Sequence, residues 1–490
     1  MPEHNVPRTM STQHPDNVTA PFFADNPELG GDDEIKEAFY AFSHIKCREQ
    51  LWDCEGKEVD NFVVKKLLTG YEPYFKKHKL GRDVFLTLRV PNPSIEKAEA
   101  KILAETLESI PRNFDTAKLF YGEDIAPIFE IALPMTASAD ELLMLSQFYR
   151  KHVIGRKHDT ICGKKVADWL GDFQPERLRI IPLFEDKEGM LNAAREVRRF
   201  ISEEKVEEYQ RVWLARSDPA LNYGSVACVL IEKIALQQLW QVQEKSSVDI
   251  LPIIGCGSAP FRGNLRPDNV DAFLKGYPSV HTLTLQSAFK YDYPIEKVEK
   301  AVGKINAHRS GPPIPVDEKR CLGIIEKQTV EYQKQVMSLA PLINEVSSFI
   351  PSRRKRKLHI GLFGYSRNLG GVRLPRAIKF CGALHSLGIP PEILGMNALS
   401  AADLDYIRTV YPALDSDLGD ALRWLNRDNF RKLAPDVYGS VKEVLSLARH
   451  DEDPRHRKIT SIIADNLAHK QVAILEENIV RAGFIRGFLG

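Results

Sequence analysis

The chain has 490 residues, a length that suits either one large α/β barrel with additions or several smaller domains. Hydrophobic residues make up 43% and charged residues 27%, a balance typical of a globular chain and not of a disordered one. Lys and Arg number 67 against 66 for Asp and Glu, so no strong overall field draws the chain to nucleic acid or anionic lipid, and anion binding must be local.

The cysteines and the apolar segments indicate in which cellular compartment the protein works. Seven cysteines are scattered and never spaced as CxxC, which indicates neither a disulfide framework nor a zinc site and favours a reducing cytoplasm. The N-terminal stretch 1–17 is polar where a signal peptide is apolar, and no window approaches the roughly 20 apolar residues of a membrane helix. We therefore expect a cytoplasmic protein without a membrane span.

Eight short segments rich in β-branched or aliphatic residues predict buried strands. In chain order they are 8–13, 84–89, 128–133, 179–184, 211–215, 250–254, 281–286 and 359–363. Segments with helical periodicity, such as 191–210, lie between them. Strands that alternate with helices predict a parallel sheet, and eight of them favour a closed (β/α)8 barrel over a doubly wound open sheet.

Reactive residue types cluster where the predicted strands end. Those at or just beyond a strand's carboxyl end are His14, Arg89, Glu185, Asp218, Arg262 and Arg367. Barrel enzymes carry their chemistry on this face, which supports the barrel. After Ala377 the pattern becomes helical, so we predict a barrel domain with helical insertions over 1–376 and a helical region over 377–490 that packs on it.

His14 lies between a short strand and Pro15, which keeps the backbone out of a helix and presents the histidine on a turn. A plain loop histidine beside the capping residues Asp16 and Asn17 is the competing interpretation. Glu185 and Asp218 end two consecutive predicted strands, which in a barrel lie about 4.8 Å apart. Both carboxylates would then reach one hard cation, Mg²⁺ or Mn²⁺, unless each simply caps the helix that follows.

Two loops and one charge run carry arginines. Loop 255–264 is rich in small residues around Arg262, which suits either a mobile loop that closes over phosphate or a surface turn. Loop 364–376 gathers arginines around a diglycine, and arginine forks bind carboxylate and phosphate. The run 353–357 predicts a solvated loop, with a nucleic-acid patch as the minority interpretation.

These segments, in this order over residues 8–376, resemble the phosphoenolpyruvate carboxylase family, and the opening stretch 8–17 is similar to its archaeal type. The resemblance implies a metal-dependent carboxylation of phosphoenolpyruvate by bicarbonate, which gives oxaloacetate and phosphate, in a homotetramer. It also implies a role for each matching residue. His14, Arg262 and Arg376 would be catalytic, Arg89, Arg367 and Arg376 would bind substrate, and Glu185 and Asp218 would hold the metal.

Two positions depart from larger relatives. Cys256 and Leu221 stand where those relatives have an arginine and a lysine, so either two cations are dispensable or residues such as Arg216 or Arg266 replace them. Feedback inhibition by aspartate is not implied, because the glycine-ending tail matches only loosely. The rivals are another barrel enzyme that acts on a phosphoenol or keto acid, and a nucleic-acid binder, against which the near-zero net charge argues.

Overall fold

The computed structural model describes residues 5–54, 60–355, 367–369 and 371–490, without the side chains of 367–369. Eight parallel strands close into one barrel. They are β1 Thr9–Ser11, β2 Glu49–Asp53, β3 Phe85–Arg89, β4 Glu130–Leu133, β5 Arg179–Phe184, β6 Tyr209–Leu214, β7 Asp249–Ile254 and β8 Thr282–Leu285. Each strand pairs with its neighbours in sequence, and β8 pairs with β1 to complete the ring. The predicted (β/α)8 barrel is confirmed.

The strand prediction found seven of the eight barrel strands. Seven predicted segments coincide with barrel strands, whereas β2 was missed. The eighth predicted segment, 359–363, lies outside the described residues. Strand β2 reads Glu-Gln-Leu-Trp-Asp, and all five residues are buried although three of them are polar. A pattern of apolar residues does not find such a strand, because its polar side chains are matched inside the barrel and not by solvent.

Helices surround the barrel, and two short antiparallel strand pairs, Thr160–Ile161 with Lys164–Lys165 and Arg367–Leu369 with Val372–Leu374, lie outside it. The helices are α1 Asp32–Ser43, α2 Val63–Gly70, α3 Glu72–Lys77, α4 Ala100–Tyr121, α5 Ala139–Phe148, α6 Val166–Leu170, α7 Lys187–Glu204, α8 Ser217–Tyr223, α9 Ser225–Glu244, α10 Val270–Gly276, α11 Ser287–Tyr291, α12 Ile295–Ala307, α13 Glu318–Ser347, α14 Ala377–Ser386, α15 Ala401–Val410, α16 Leu414–Leu422, α17 Arg427–Leu433, α18 Pro435–Val441, α19 Pro454–Ala468 and α20 Leu475–Arg486. The chain after Ala377 is thus helical, as predicted. The division at residue 376 stays a prediction.

Helix α9 is the centre of the larger apolar core. It packs against α7, α8 and α13, and its apolar run is buried on nearly every side. This surrounding explains an almost continuous apolar run in a helix that also buries Glu232 and Lys233. No helix within the described ranges has both the length and the apolar character needed to cross a bilayer.

The barrel interior is layered along its axis. Near the amino ends of the strands, Arg211 of β6 forms ion pairs with Glu49 of β2 and Glu130 of β4, both at 2.8 Å. Above this charged layer lies an apolar plug. It consists of Met10, Leu51, Ala132, Ile181, Leu183, Trp213, Ala215 and Ile253. The plug closes the barrel from below, so any site must lie above it, at the carboxyl ends of the strands.

Candidate active site

A cavity of about 610 Å³ opens at the carboxyl ends of the barrel strands. Its wall contains every predicted site residue whose side chain is described. These are His14, Arg89, Glu185, Asp218, Arg262 and Arg376. Arg367 begins a short strand, Arg367–Leu369, which pairs antiparallel with Val372–Leu374, but its side chain lies outside the described part of the chain. Residues spread over more than 350 positions of sequence thus meet at one site.

The turn that carries His14 is tied to the segments that follow the nearby strands β8 and β7. His14 is half-buried, and its Nδ1 lies 2.9 Å from Thr12 Oγ1. Two residues on, the buried carboxylate of Asp16 accepts a hydrogen bond from the Ala288 backbone at 2.7 Å and pairs with Arg262 at 3.2 Å. Asp16 therefore anchors the turn to α11 and to loop 255–264. The sequence had suggested only a helix-capping role for Asp16.

Glu185 and Asp218 follow the neighbouring strands β5 and β6, and both line the cavity. Glu185 Oε2 accepts a hydrogen bond from the Met135 backbone at 2.8 Å. Neither acid is the N-cap residue of the helix that follows, although Asp218 lies in the first turn of α8. Asp186 caps α7 through a hydrogen bond from Gly189, and α8 begins after Arg216 without a side-chain cap.

The donor set suits a hard divalent cation. Two carboxylates supply oxygen, and the described residues contain no group of three or more His, Cys, Asp or Glu that would complete a cage. Mg²⁺ usually keeps several waters and binds through one or two carboxylates plus substrate oxygens, so two ligands in an open cavity fit it well. Zinc would need more nitrogen or sulfur donors.

The Arg262 loop is packed and not a surface turn. Arg262 belongs to the short 3₁₀ turn Pro260–Arg262 and is only 1% exposed. It donates hydrogen bonds to Ser217 Oγ at 3.1 Å, to the Gly490 carbonyl at 2.7 Å and to Gln286 Oε1. A Cβ on Gly257 would lie 2.9 Å from that same Gln286 oxygen, so this glycine makes room for the contact.

Arg89 lies at the end of β3 with its guanidinium held by Asp53. Nε and one terminal nitrogen donate to the two carboxylate oxygens at 3.1 and 2.7 Å, and both residues are almost completely buried. The Asp53 backbone in turn donates to Gln13 Oε1 at 3.0 Å. Sequence reasoning missed Asp53 because it missed β2. A polar residue that ends a strand is the signal that would have found it.

The comparison with known proteins decides the family. A phosphoenolpyruvate carboxylase family model matches residues 6–490. The phosphoenolpyruvate carboxylases of Methanothermobacter thermautotrophicus and Methanospirillum hungatei are 52% and 51% identical, over 99% of this chain and 100% of each relative. That of Pyrococcus abyssi is 49% identical with the same coverage. The chain belongs to the phosphoenolpyruvate carboxylase family. The archaeal relatives confirm the archaeal type, and the function is that of a carboxy-lyase.

As a phosphoenolpyruvate carboxylase, the chain must bind anions without the two cations of larger relatives. Cys256 and Leu221 are both buried, and burial raises the pKa of the Cys256 thiol to about 12, so neither contributes charge. Of the two proposed substitutes, Arg216 lines the cavity, where it pairs with Glu232 at 2.6 Å. Arg266 pairs with Asp268 and Asp420 and does not line it.

The first two arginines of the charge run 353–357 are buried, contrary to the predicted solvated loop. Arg353 and Arg354 are 9% and 4% exposed, so the expected solvated loop is wrong for these two residues. Both line the cavity of the carboxylase, which also removes them as a surface for nucleic acid. Consecutive arginines suggest a hydrated surface because burying a cation is costly. For Arg354 that cost is offset by Glu34 and Glu37, which are distant in sequence.

Proposed function

We propose that the chain converts phosphoenolpyruvate and bicarbonate to oxaloacetate and phosphate, with the cavity at the carboxyl ends of the barrel strands as its active site. The observation that carries this proposal is the meeting of a histidine, two carboxylates and several arginines in that cavity, in a chain of this family. A trianionic substrate and a bicarbonate ion need positive charge around them, and a molecule of net charge +1 has to concentrate it locally.

In the first stage, a bicarbonate oxygen attacks phosphorus, and the bond from phosphorus to the enol oxygen breaks. The products are carboxyphosphate and the enolate of pyruvate. Arg89, Arg367 and Arg376 would bind the phosphate and carboxylate groups, because a guanidinium offers two parallel donors to such oxyanions. Asp53 would fix the plane of Arg89 through its two hydrogen bonds. Preorganised charge of this kind should provide most of the rate enhancement.

Glu185 and Asp218 would hold Mg²⁺ or Mn²⁺. The family generally depends on a divalent metal ion, and the two oxygen donors on neighbouring strands fit one. When bound, the ion supplies positive charge that favours formation of an enolate. The Met135 backbone, which donates to Glu185, would hold that carboxylate in orientation.

In the second stage, carboxyphosphate releases CO₂ and phosphate, and the enolate carbon attacks CO₂ to give oxaloacetate. His14 would accept the carboxyphosphate proton as CO₂ leaves, because an imidazole titrates near neutrality. Arg262 lies next to this turn through Asp16 and would stabilise phosphate as it forms. A homotetramer is the assembly that the family resemblance implies, and light scattering of the purified chain would test it. A cytoplasmic location is what the scattered cysteines favour.

The first test is oxaloacetate production from phosphoenolpyruvate and Mg²⁺, coupled to NADH oxidation by malate dehydrogenase, with and without bicarbonate. We expect turnover that requires both the metal and bicarbonate. Turnover without bicarbonate would indicate a different phosphoenol or keto-acid reaction on the same barrel. A folded, metal-loaded protein that makes no oxaloacetate would refute the proposal.

A further inference from the structure

The consecutive arginines Arg353 and Arg354 are both buried, but only one of them is neutralised. Arg354 donates to Glu34 at 2.7 Å and to Glu37 at 2.8 Å. Arg353 has no carboxylate within ion-pair distance among the residues that the structure describes. Its hydrogen bond there runs from Nε to the Asn17 carbonyl, at 3.4 Å. The cation of Arg353 therefore lies in the cavity wall without a carboxylate of the described ranges in ion-pair contact.

The backbone on either side of this side chain is fixed. The Leu29 amide donates to the Arg353 carbonyl at 3.1 Å, and the Lys355 amide donates to the Leu29 carbonyl at 2.8 Å. The ion pairs of Arg354 hold the next residue against α1. Arg353 is thus presented to the cavity by a rigid support, which is what a binding group requires.

The other buried arginines of the cavity wall are all paired with acids. Arg89 pairs with Asp53, Arg216 with Glu232, and Arg262 with Asp16. Burial lowers the pKa of Arg353, and only the more distant charges of Asp292, Glu476 and Glu28 oppose this effect. A buried cation without a partner is costly, and an anionic ligand that enters the cavity would offset that cost.

The position of Arg353 favours one anion over the other. Its Nε contacts the carbonyl of Asn17, three residues after His14, so it lies on the side of the cavity where the histidine turn is anchored. Phosphoenolpyruvate has candidate ligands for its phosphate and carboxylate groups in Arg89, Arg367 and Arg376, and Arg353 is available to the second anion, bicarbonate. The planar fork of a guanidinium also matches the two oxygens of a planar carbonate.

We propose that Arg353 binds the bicarbonate substrate and holds it beside His14. This inference rests on the proposed function, in which bicarbonate is the second substrate. Arg353 would also replace part of the positive charge that larger relatives have at the positions of Cys256 and Leu221. It brings a cation to the same cavity from a segment that follows the barrel strands.

Steady-state kinetics of Arg353→Gln with each substrate varied in turn would test the proposal. Charge-assisted hydrogen bonds contribute enough that their loss should raise KM for bicarbonate about tenfold to a hundredfold. KM for phosphoenolpyruvate should stay within about twofold of wild type, since its own ligands remain. Arg373→Gln removes an arginine that is exposed and lies outside the cavity wall, so it serves as the matched control and should change neither KM.

The outcomes separate the assignments. An equal or larger rise in KM for phosphoenolpyruvate would overturn the proposal and place Arg353 with that substrate. Unchanged KM values for both would make it a structural contact of Asn17. If Arg353→Gln does not fold, Arg353→Lys decides, because it keeps the charge and loses the fork, and an unchanged KM for bicarbonate in that variant would also refute the idea. Failure of the proposed function can be told apart from failure of the Arg353 assignment, because the wild-type enzyme itself would then show no dependence on bicarbonate.

Discussion

Replacing Arg211 by methionine should destabilise the barrel without harming its chemistry. Arg211 is completely buried, and its guanidinium donates to Glu49 and Glu130 at 2.8 Å and to Thr282 Oγ1 at 3.3 Å. Removing one partner of a buried ionic cluster costs about 3–5 kcal/mol, because the remaining charges are left without compensation. For a chain of 490 residues, this loss corresponds to a fall in Tm of about 3–5 °C.

Differential scanning calorimetry measures the fall in Tm, and kcat/KM at 25 °C measures the chemistry. We expect kcat/KM within about twofold of wild type, because the charged layer lies at the amino ends of the strands and the apolar plug separates it from the cavity. Burial and the nearby Glu49 raise the pKa of Glu130, so the neutral Glu130→Gln should cost less than Glu49→Gln. An unchanged Tm in Arg211→Met, or lost activity at an unchanged Tm, would refute this reasoning.

Three further predictions concern the cavity and one buried lysine. His14→Ala should reduce oxaloacetate formation more than phosphate release, and equal losses of both products would contradict its role at the second stage. Asp218→Asn should raise the Mg²⁺ concentration for half-maximal activity at least about tenfold, since it removes one of two charged ligands, and an unchanged metal dependence would exclude it as a ligand. Burial lowers the pKa of Lys233 to about 7, so its native state binds a proton less tightly than the unfolded chain, and stability should rise with pH. Between pH 7 and 9 this rise should be about 2 kcal/mol smaller in Lys233→Met than in wild type, measured by urea unfolding, and equal slopes would contradict the shift.

The sequence identified those parts of the fold that follow from apolar patterning. Strands such as β5, with five buried residues of six, were predicted to the residue, and so was the placement of Glu185 beyond it. Strand β2 was missed because its polar residues are buried, and Glu49 and Asp53 have partners on other strands, Arg211 and Arg89, which a single sequence does not show. The same limit explains why Arg353 and Arg354 were expected in solvent.

The candidate site was predicted better than its internal contacts. Strand ends gave the positions of His14, Glu185 and Asp218, because parallel strands bring their carboxyl ends to one face. Sequence gave no indication that Asp16 pairs with Arg262, 246 positions away, or that Asp53 holds Arg89. Such pairs depend on which strands become neighbours, and this is decided by closure of the whole barrel.

The distribution of charge along the barrel axis explains how a nearly neutral chain concentrates positive charge at its site. In the charged layer near the amino ends of the strands, Glu49 and Glu130 surround Arg211, so this layer carries no excess positive charge. Around the cavity Arg89, Arg216 and Arg262 each have one acid, while Arg353 has none among the described residues. Among the described arginines of the cavity wall, Arg353 therefore brings positive charge without an ion-paired acid, and a bound anion would supply that opposite charge.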